Sequence, residues 1–171
     1  MMGVIFIFIF ISSWKPSADT GVVTGGAGGL GFEAARALLE HDVSGLALFD
    51  INYDAGIQAS EQLKSAFPGA NVIFKLVNVT DAALVSAAVD VVAKELGSVD
   101  ILLTFAGIVG CVHAEDMAAE QWNRILEVNL TGSFLCAQAV GKYEIYPACA
   151  EYVWSTSWLV SVLGAGVFFK K

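Results

Sequence analysis

Five glycines fall within the eight residues Thr24-Gly25-Gly26-Ala27-Gly28-Gly29-Leu30-Gly31. Glycine takes positive φ freely, and its missing Cβ lets a backbone approach a ligand closely. A short apolar run, Gly21-Val22-Val23, precedes the glycines, and a helical pattern from Phe32 to His41 follows. Strand, glycine turn and helix in that order can cradle a phosphate, because the helix turns its free N–H groups and positive dipole end toward the anion. Gly26, Gly28 and Gly31 match the GxGxxG spacing in the strand-to-helix context that gives this pattern its meaning. A flexible glycine loop without a ligand would need no acidic partner downstream. Here the next apolar run, Gly45 to Phe49, ends in Asp50, nineteen residues after Gly31. A carboxylate at that strand tip can accept hydrogen bonds from ribose hydroxyls, so the pair of features implies a dinucleotide.

The remaining reactive residues form no comparable constellation. Cys111, Cys136 and Cys149 are an odd, widely spaced set that fits no zinc or CxxC spacing. They read as buried, reduced thiols of a cytoplasmic protein. His113, Glu115 and Asp116 are close in sequence but lack further ligands, so they read as a solvated loop and no metal is expected. His41 suits the C-terminal end of the first helix as a cap. Trp122, at helical spacing from Ile125 and Leu126, reads as packing. The formal charge of −8, with Lys and Arg few and scattered, argues against a nucleic-acid partner.

Elements that would position the glycine loop and Asp50 can be read in order. A chain of 171 residues is one domain in size, and 56% apolar against 15% charged residues favours a large core. Residues 1–19 read as an apolar appendage and linker: the run from Met1 to Ile11 is too short to span a bilayer and lacks the charge and cleavage pattern of a signal peptide. Strands are expected at Val22–Thr24, Val43–Asp50, Asn71–Val77 and Asp100–Ala106. Helices are expected at 31–42, Asp54–Phe67 and Asp81–Leu96, then from Ala114 or Glu115 to about Val140. Thr80 is the expected N-cap of the third helix and Gly97 its C-cap; Leu84, Val85, Ala88 and Val92 would face inward. Alternating strands and helices predict an α/β fold, a doubly wound parallel sheet with ligands at the carboxyl ends of the strands. Thr24–Gly31, Asp50, Asn78 and Ala106-Gly107 all fall there.

With these residues in place the chain resembles the short-chain dehydrogenase/reductase family over about residues 20–140. Thr24-Gly25-x-x-x-Gly29-Leu30-Gly31 matches its TGxxxGxG cofactor loop, and Asp50 its acidic residue after the second strand. The resemblance implies a Rossmann-like domain that binds NAD. NADP is disfavoured, because a carboxylate repels a 2′-phosphate and no Arg or Lys stands nearby to receive one. Asn78-Val79-Thr80 stands where the family has Asp-Val-Thr/Ser, the pair that holds the adenine ring. Thr104-Phe105-Ala106-Gly107 stands for Asn-Asn-Ala-Gly, keeping Ala106 and Gly107 and losing both asparagines. Val128-Asn129-Leu130-Thr131-Gly132 resembles the family's long helix. The resemblance gives Asn129 a catalytic role, its backbone carbonyl holding a water of the proton relay.

Beyond residue 140 the pattern breaks. The family's chemistry requires a tyrosine with a lysine four residues on, both on one helix face. Tyr53, Tyr143, Tyr146 and Tyr152 are followed at that spacing by Ile57, Pro147, Ala150 and Thr156. The fold is therefore expected to be incomplete, with 141–171 an apolar tail foreign to it and the fourth strand left as a sheet edge. A truncated or misread gene product would explain both termini. By resemblance the function is NAD-dependent oxidation or reduction of an alcohol or carbonyl substrate, inactive in this chain. Two alternatives stay open: a non-catalytic dinucleotide-binding fragment, and a membrane-associated protein using its apolar ends. A homo-oligomer through the long helix is a further expectation from the family.

Overall fold

The computed structural model describes residues 19–143 and the backbone of 166–169. Its strands are β1 (Thr20–Thr24), β2 (Gly45–Asp50), β3 (Asn71–Leu76), β4 (Ile101–Thr104) and β5 (Gly166–Phe169). Its α-helices are α1 (Gly29–Glu40), α2 (Tyr53–Ala66), α3 (Ala82–Leu96), α4 (Ala119–Leu126) and α5 (Gly132–Gly141). The sheet order is β3-β2-β1-β4-β5, and the first four strands run parallel. The chain winds outward through β2 and β3, then returns past β1 to form β4. The strand direction of travel thus reverses between β1 and β4, which opens a crevice at their carboxyl ends.

Both faces of the sheet are buried, which explains the continuous apolar runs. Val23, Leu46, Leu48, Ile101 and Leu103 meet Ala34, Ala35, Leu38 and Leu39 of α1 and Ala59 and Leu63 of α2. The alternate residues Val22, Ala47, Phe49 and Leu102 meet Val85, Val89 and Val92 of α3 and Cys136, Ala139 and Val140 of α5. This is the doubly wound arrangement expected from the pattern.

Several local expectations are corrected. Thr20 is fully buried and belongs to β1, where its N–H donates to Asp100 Oδ2 at 2.9 Å. The inner stripe of α3 is Val85, Val89 and Val92, whereas Leu84 is half exposed. Asp81, not Thr80, caps α3: its Oδ1 accepts from the N–H groups of Ala83 and Leu84, both at 3.0 Å. Thr80 is instead drawn back onto Asn78. The long helix begins at Ala119, after a separate 3-10 turn at Ala114–Asp116, because Ala118 is extended. Trp122 is 52% exposed and packs into no core, since α4 has no buried residue.

The fourth strand is not an edge. β5 pairs with it antiparallel, Thr104 opposite Gly166 and Ile101 opposite Phe169. Four residues of the expected tail therefore join the sheet by backbone hydrogen bonding. The apolar N-terminal run, Tyr146, Tyr152 and the rest of the tail lie outside the described residues. Among the described residues no helix is long and apolar enough to cross a membrane.

Candidate functional site

The parallel strands bring Thr24–Gly31, Asp50, Asn78-Val79 and Ala106-Gly107 to one edge of the sheet. Two glycines in the loop answer to the protein's own backbone. Gly25 has φ +68°, and a Cβ there would sit 2.8 Å from the backbone of Phe105 and Ala106. At Gly31 a Cβ would lie 2.1 Å from the carbonyl oxygen of Gly25. Gly28 and Gly29 differ: among the described residues a Cβ at either meets nothing within 4 Å. Their side-chain positions open onto free space above the start of α1. Gly28 is the N-cap of that helix and offers no side chain to its first turn, which also lacks an acidic residue. Among the described residues, the orphan first-turn N–H groups of α1 therefore have no side-chain cap. An uncapped helix start below a Cβ-free opening fits a pyrophosphate.

Asp50 is bound into this cradle. Its Oδ2 accepts from Ala27 N–H at 3.1 Å and its Oδ1 from Asn52 N–H at 3.0 Å. Each carboxylate oxygen keeps a lone pair for a further donor such as a ribose hydroxyl. Thr24 ties the loop to β4, since Ala106 N–H donates to Thr24 Oγ1 at 3.2 Å. Val79 is buried against Gly132, where a Cβ would lie 2.7 Å from a Val79 methyl. Gly107 and Leu30 are exposed along the same edge.

Asn129 is 6% exposed and lies in a π-helical segment, Glu127–Thr131, that joins α4 to α5. Gly132 N–H reaches back five residues to the Glu127 carbonyl. The Asn129 side chain pairs with Ile108 after β4, accepting from Ile108 N–H at 2.9 Å and donating to Ile108 O at 3.0 Å. Its carbonyl accepts from Ser133 Oγ at 2.8 Å. Neither the Ile108 clamp nor the Ser133 contact was foreseeable. Both depend on the π turn, which no residue pattern announced.

Tyr143, the one tyrosine at the end of α5, turns away from this edge and donates a short hydrogen bond to Asp90 on α3. That bond and the nearby Asp90 charge raise its pKa, so its proton is held more tightly than in a free phenol. Cys111 is exposed, contrary to the expectation of burial, because it lies in the loop after β4. Cys136 is buried, and desolvation pushes its thiol up to about 12. Cys149 lies outside the described residues. His113, Glu115 and Asp116 are exposed, and the described residues contain no cluster fit to hold a metal.

A parallel α/β sheet with a glycine cradle, an acidic strand tip and a crevice at its switch point defines a dinucleotide-binding class of fold. The family model described as short chain dehydrogenase matches residues 20–146, and the chain belongs to that family. It is 32% identical over 143 residues to a 3alpha-hydroxysteroid dehydrogenase of Mediterraneibacter gnavus, covering 84% of this chain and 56% of that protein. It is 39% identical over 121 residues to a D-threitol dehydrogenase of Mycolicibacterium smegmatis, covering 71% and 45% respectively. A short chain dehydrogenase from Mycobacterium smegmatis superposes with a TM-score of 0.71 at 26% identity, over 76% of this chain and 54% of that one. A short-chain type dehydrogenase/reductase from Mycobacterium marinum gives 0.70 at 29% identity, over 76% and 51%. The chain thus spans about half the length of the relatives it matches.

Proposed function

We propose that this chain binds NAD, in preference to NADP, along the carboxyl edge of β1, β2, β3 and β4. The pyrophosphate rests on the backbone of Gly28, Gly29, Leu30 and Gly31, between Thr24-Gly25 and the start of α1. Asp50 receives the adenosine ribose, Asn78 and Val79 flank the base, and Ala106 and Gly107 line the crevice. The observation that carries this reading is the Asp50 carboxylate, held beside the cradle by Ala27 N–H. A 2′-phosphate there would meet a carboxylate, and Arg36 on α1, among the described residues, is already paired with Glu33 and Glu40.

Nicotinamide, when bound, supplies hydride exchange with an alcohol or carbonyl. The chain's residues position it: Asn129 holds the loop after β4 through Ile108, and its carbonyl, which accepts from Ser133 Oγ, has a second lone pair that would accept from a relay water. The proton-transferring Tyr and its Lys partner have no match in this chain. The 171 residues therefore bind dinucleotide without turning it over, whereas the family's chemistry is oxidoreduction of an alcohol or carbonyl. The exposed Trp122, Leu130 and Phe134 of the α4–α5 stretch support self-association through that face.

Titration of the purified chain, followed by dihydronicotinamide fluorescence, tests this reading. NADH binding at least tenfold tighter than NADPH is expected. Asp50→Ala should weaken NADH by tenfold or more, and no NADH should be consumed with added ketones. Equal binding of the two dinucleotides, or steady NADH oxidation, would overturn it.

A further inference from the structure

We infer that Asn78 meets the nucleobase as a hydrogen-bond donor only, so that this site gains nothing from the exocyclic amine of adenine. The inference rests on the dinucleotide reading above and adds to it the base selectivity of the pocket. Asn78 lies two residues past the end of β3, the strand beyond β2. A phosphate cradle after β1 and a ribose-binding carboxylate at the tip of β2 direct the base outward, over the end of β3. Neighbouring strands are about 4.8 Å apart, so each strand end corresponds to the next section of an extended nucleotide.

At that position the amide has a defined orientation. Asn78 Oδ1 accepts from Thr80 N–H at 3.1 Å and from Thr80 Oγ1 at 3.0 Å. A backbone N–H can only donate, so the atom facing it must be the amide oxygen. Flipping the amide would set N–H against N–H. The oxygen has two lone pairs, and Thr80 takes both. Asn78 is exposed, and what it has left to offer a ligand is Nδ2, which donates and cannot accept. The amine of adenine also donates. Asn78 and that amine therefore cannot pair, whereas a carbonyl at the same ring position, as in hypoxanthine, can accept from Nδ2. A carboxylate in place of Asn78 would keep one oxygen on Thr80 and free the other to accept from the amine. The tight turn through Asn78 would survive, since Asp81 N–H bonds the backbone oxygen of Asn78 at 3.0 Å.

Competing fluorescence titrations with NADH and with reduced nicotinamide hypoxanthine dinucleotide test this. For the unaltered chain the hypoxanthine dinucleotide is expected to bind at least as tightly as NADH, to within about threefold, and tighter binding of it is consistent with Nδ2 donating to its carbonyl. In Asn78→Asp the ratio should move at least tenfold toward adenine, the size of a charge-assisted hydrogen bond. Thermal melting of the variant, expected to be unchanged, separates lost folding from altered recognition. A preference of the unaltered chain for NADH above about threefold would overturn the inference, as would a ratio that Asn78→Asp leaves in place. If neither dinucleotide binds to either protein, the dinucleotide reading itself fails and this inference with it.

Discussion

Asn129 and Ile108, 21 residues apart, exchange two hydrogen bonds that lock the helical layer to the loop leaving β4. The amide matches the backbone donor with its oxygen and the backbone acceptor with its nitrogen. Asn129→Asp removes the donor to Ile108 O and places a carboxylate in a buried site. Leaving one buried polar group unpaired costs about 1–3 kcal/mol, more for a charge. The variant is expected to lose about 2–3 kcal/mol at neutral pH in urea unfolding. Part of that loss should return as the pH falls and the carboxyl takes up a proton, which restores a donor.

The glycines of the cradle separate stability from binding. Gly31→Ala drives a Cβ into the Gly25 carbonyl, and backbone on backbone cannot yield as a side chain would. We expect a loss of about 3 kcal/mol, the upper end for overpacking. Gly28→Ala meets no atom of the described residues within 4 Å, and its backbone is extended, with φ −177°. It should cost at most about 1 kcal/mol, the difference between glycine and alanine at an N-cap. Its added methyl nevertheless enters the pyrophosphate opening, so NADH binding should fall tenfold or more. Unfolding curves and titrations on both variants check the contrast.

The exit of α1 carries a removable strain. Asp42 is the only described residue other than glycine with positive φ, at 66°. It follows the cap residue His41, and the turn is closed by Asp42 N–H to Leu39 O and Val43 N–H to Leu38 O, both at 3.2 Å. That double bond pattern is the Schellman ending, where glycine is preferred. Asp42→Gly should raise stability by about 0.5–1 kcal/mol. A melting temperature that falls instead would show that the carboxylate contributes more than the strain costs.

The thiols should separate by pH. With its thiol pushed up to about 12 by burial, Cys136 at pH 8 carries about one thiolate in ten thousand. Alkylation read by peptide mass spectrometry should label exposed Cys111 within minutes and leave Cys136 intact. The folded-state pKa of Cys136 is raised, so its contribution to stability is complete below the ordinary thiol pKa. It is lost as pH rises from there through about 12. Unfolding in denaturant should make the two cysteines equally reactive.

Much of this protein was legible in the residues because the controlling forces there are local or periodic. A glycine that must take positive φ, an apolar run buried on both faces and an acid at a strand tip leave marks in the sequence at fixed spacing. Thr24–Gly31, Asp50 and the order of four strands and three helices were readable for that reason. The family resemblance followed from the same marks. Where two competing partners are far apart in the chain, the marks are absent. Thr80 could cap α3 by type, but Asp81 does so, because Asn78 holds Thr80. Trp122 had the spacing of a core residue, yet it is half exposed, on a helix with no buried residue. The π turn at Asn129 accompanies a pairing with Ile108, 21 residues away, that no local pattern marks. A strand at Gly166–Phe169 seals the edge of β4 because backbone pairing depends little on side-chain identity. The sequence alone determined the cradle and its acidic companion. Tertiary structure decided which polar groups satisfy each other, since a hydrogen bond depends on where a partner arrives and not on how near it lies along the chain.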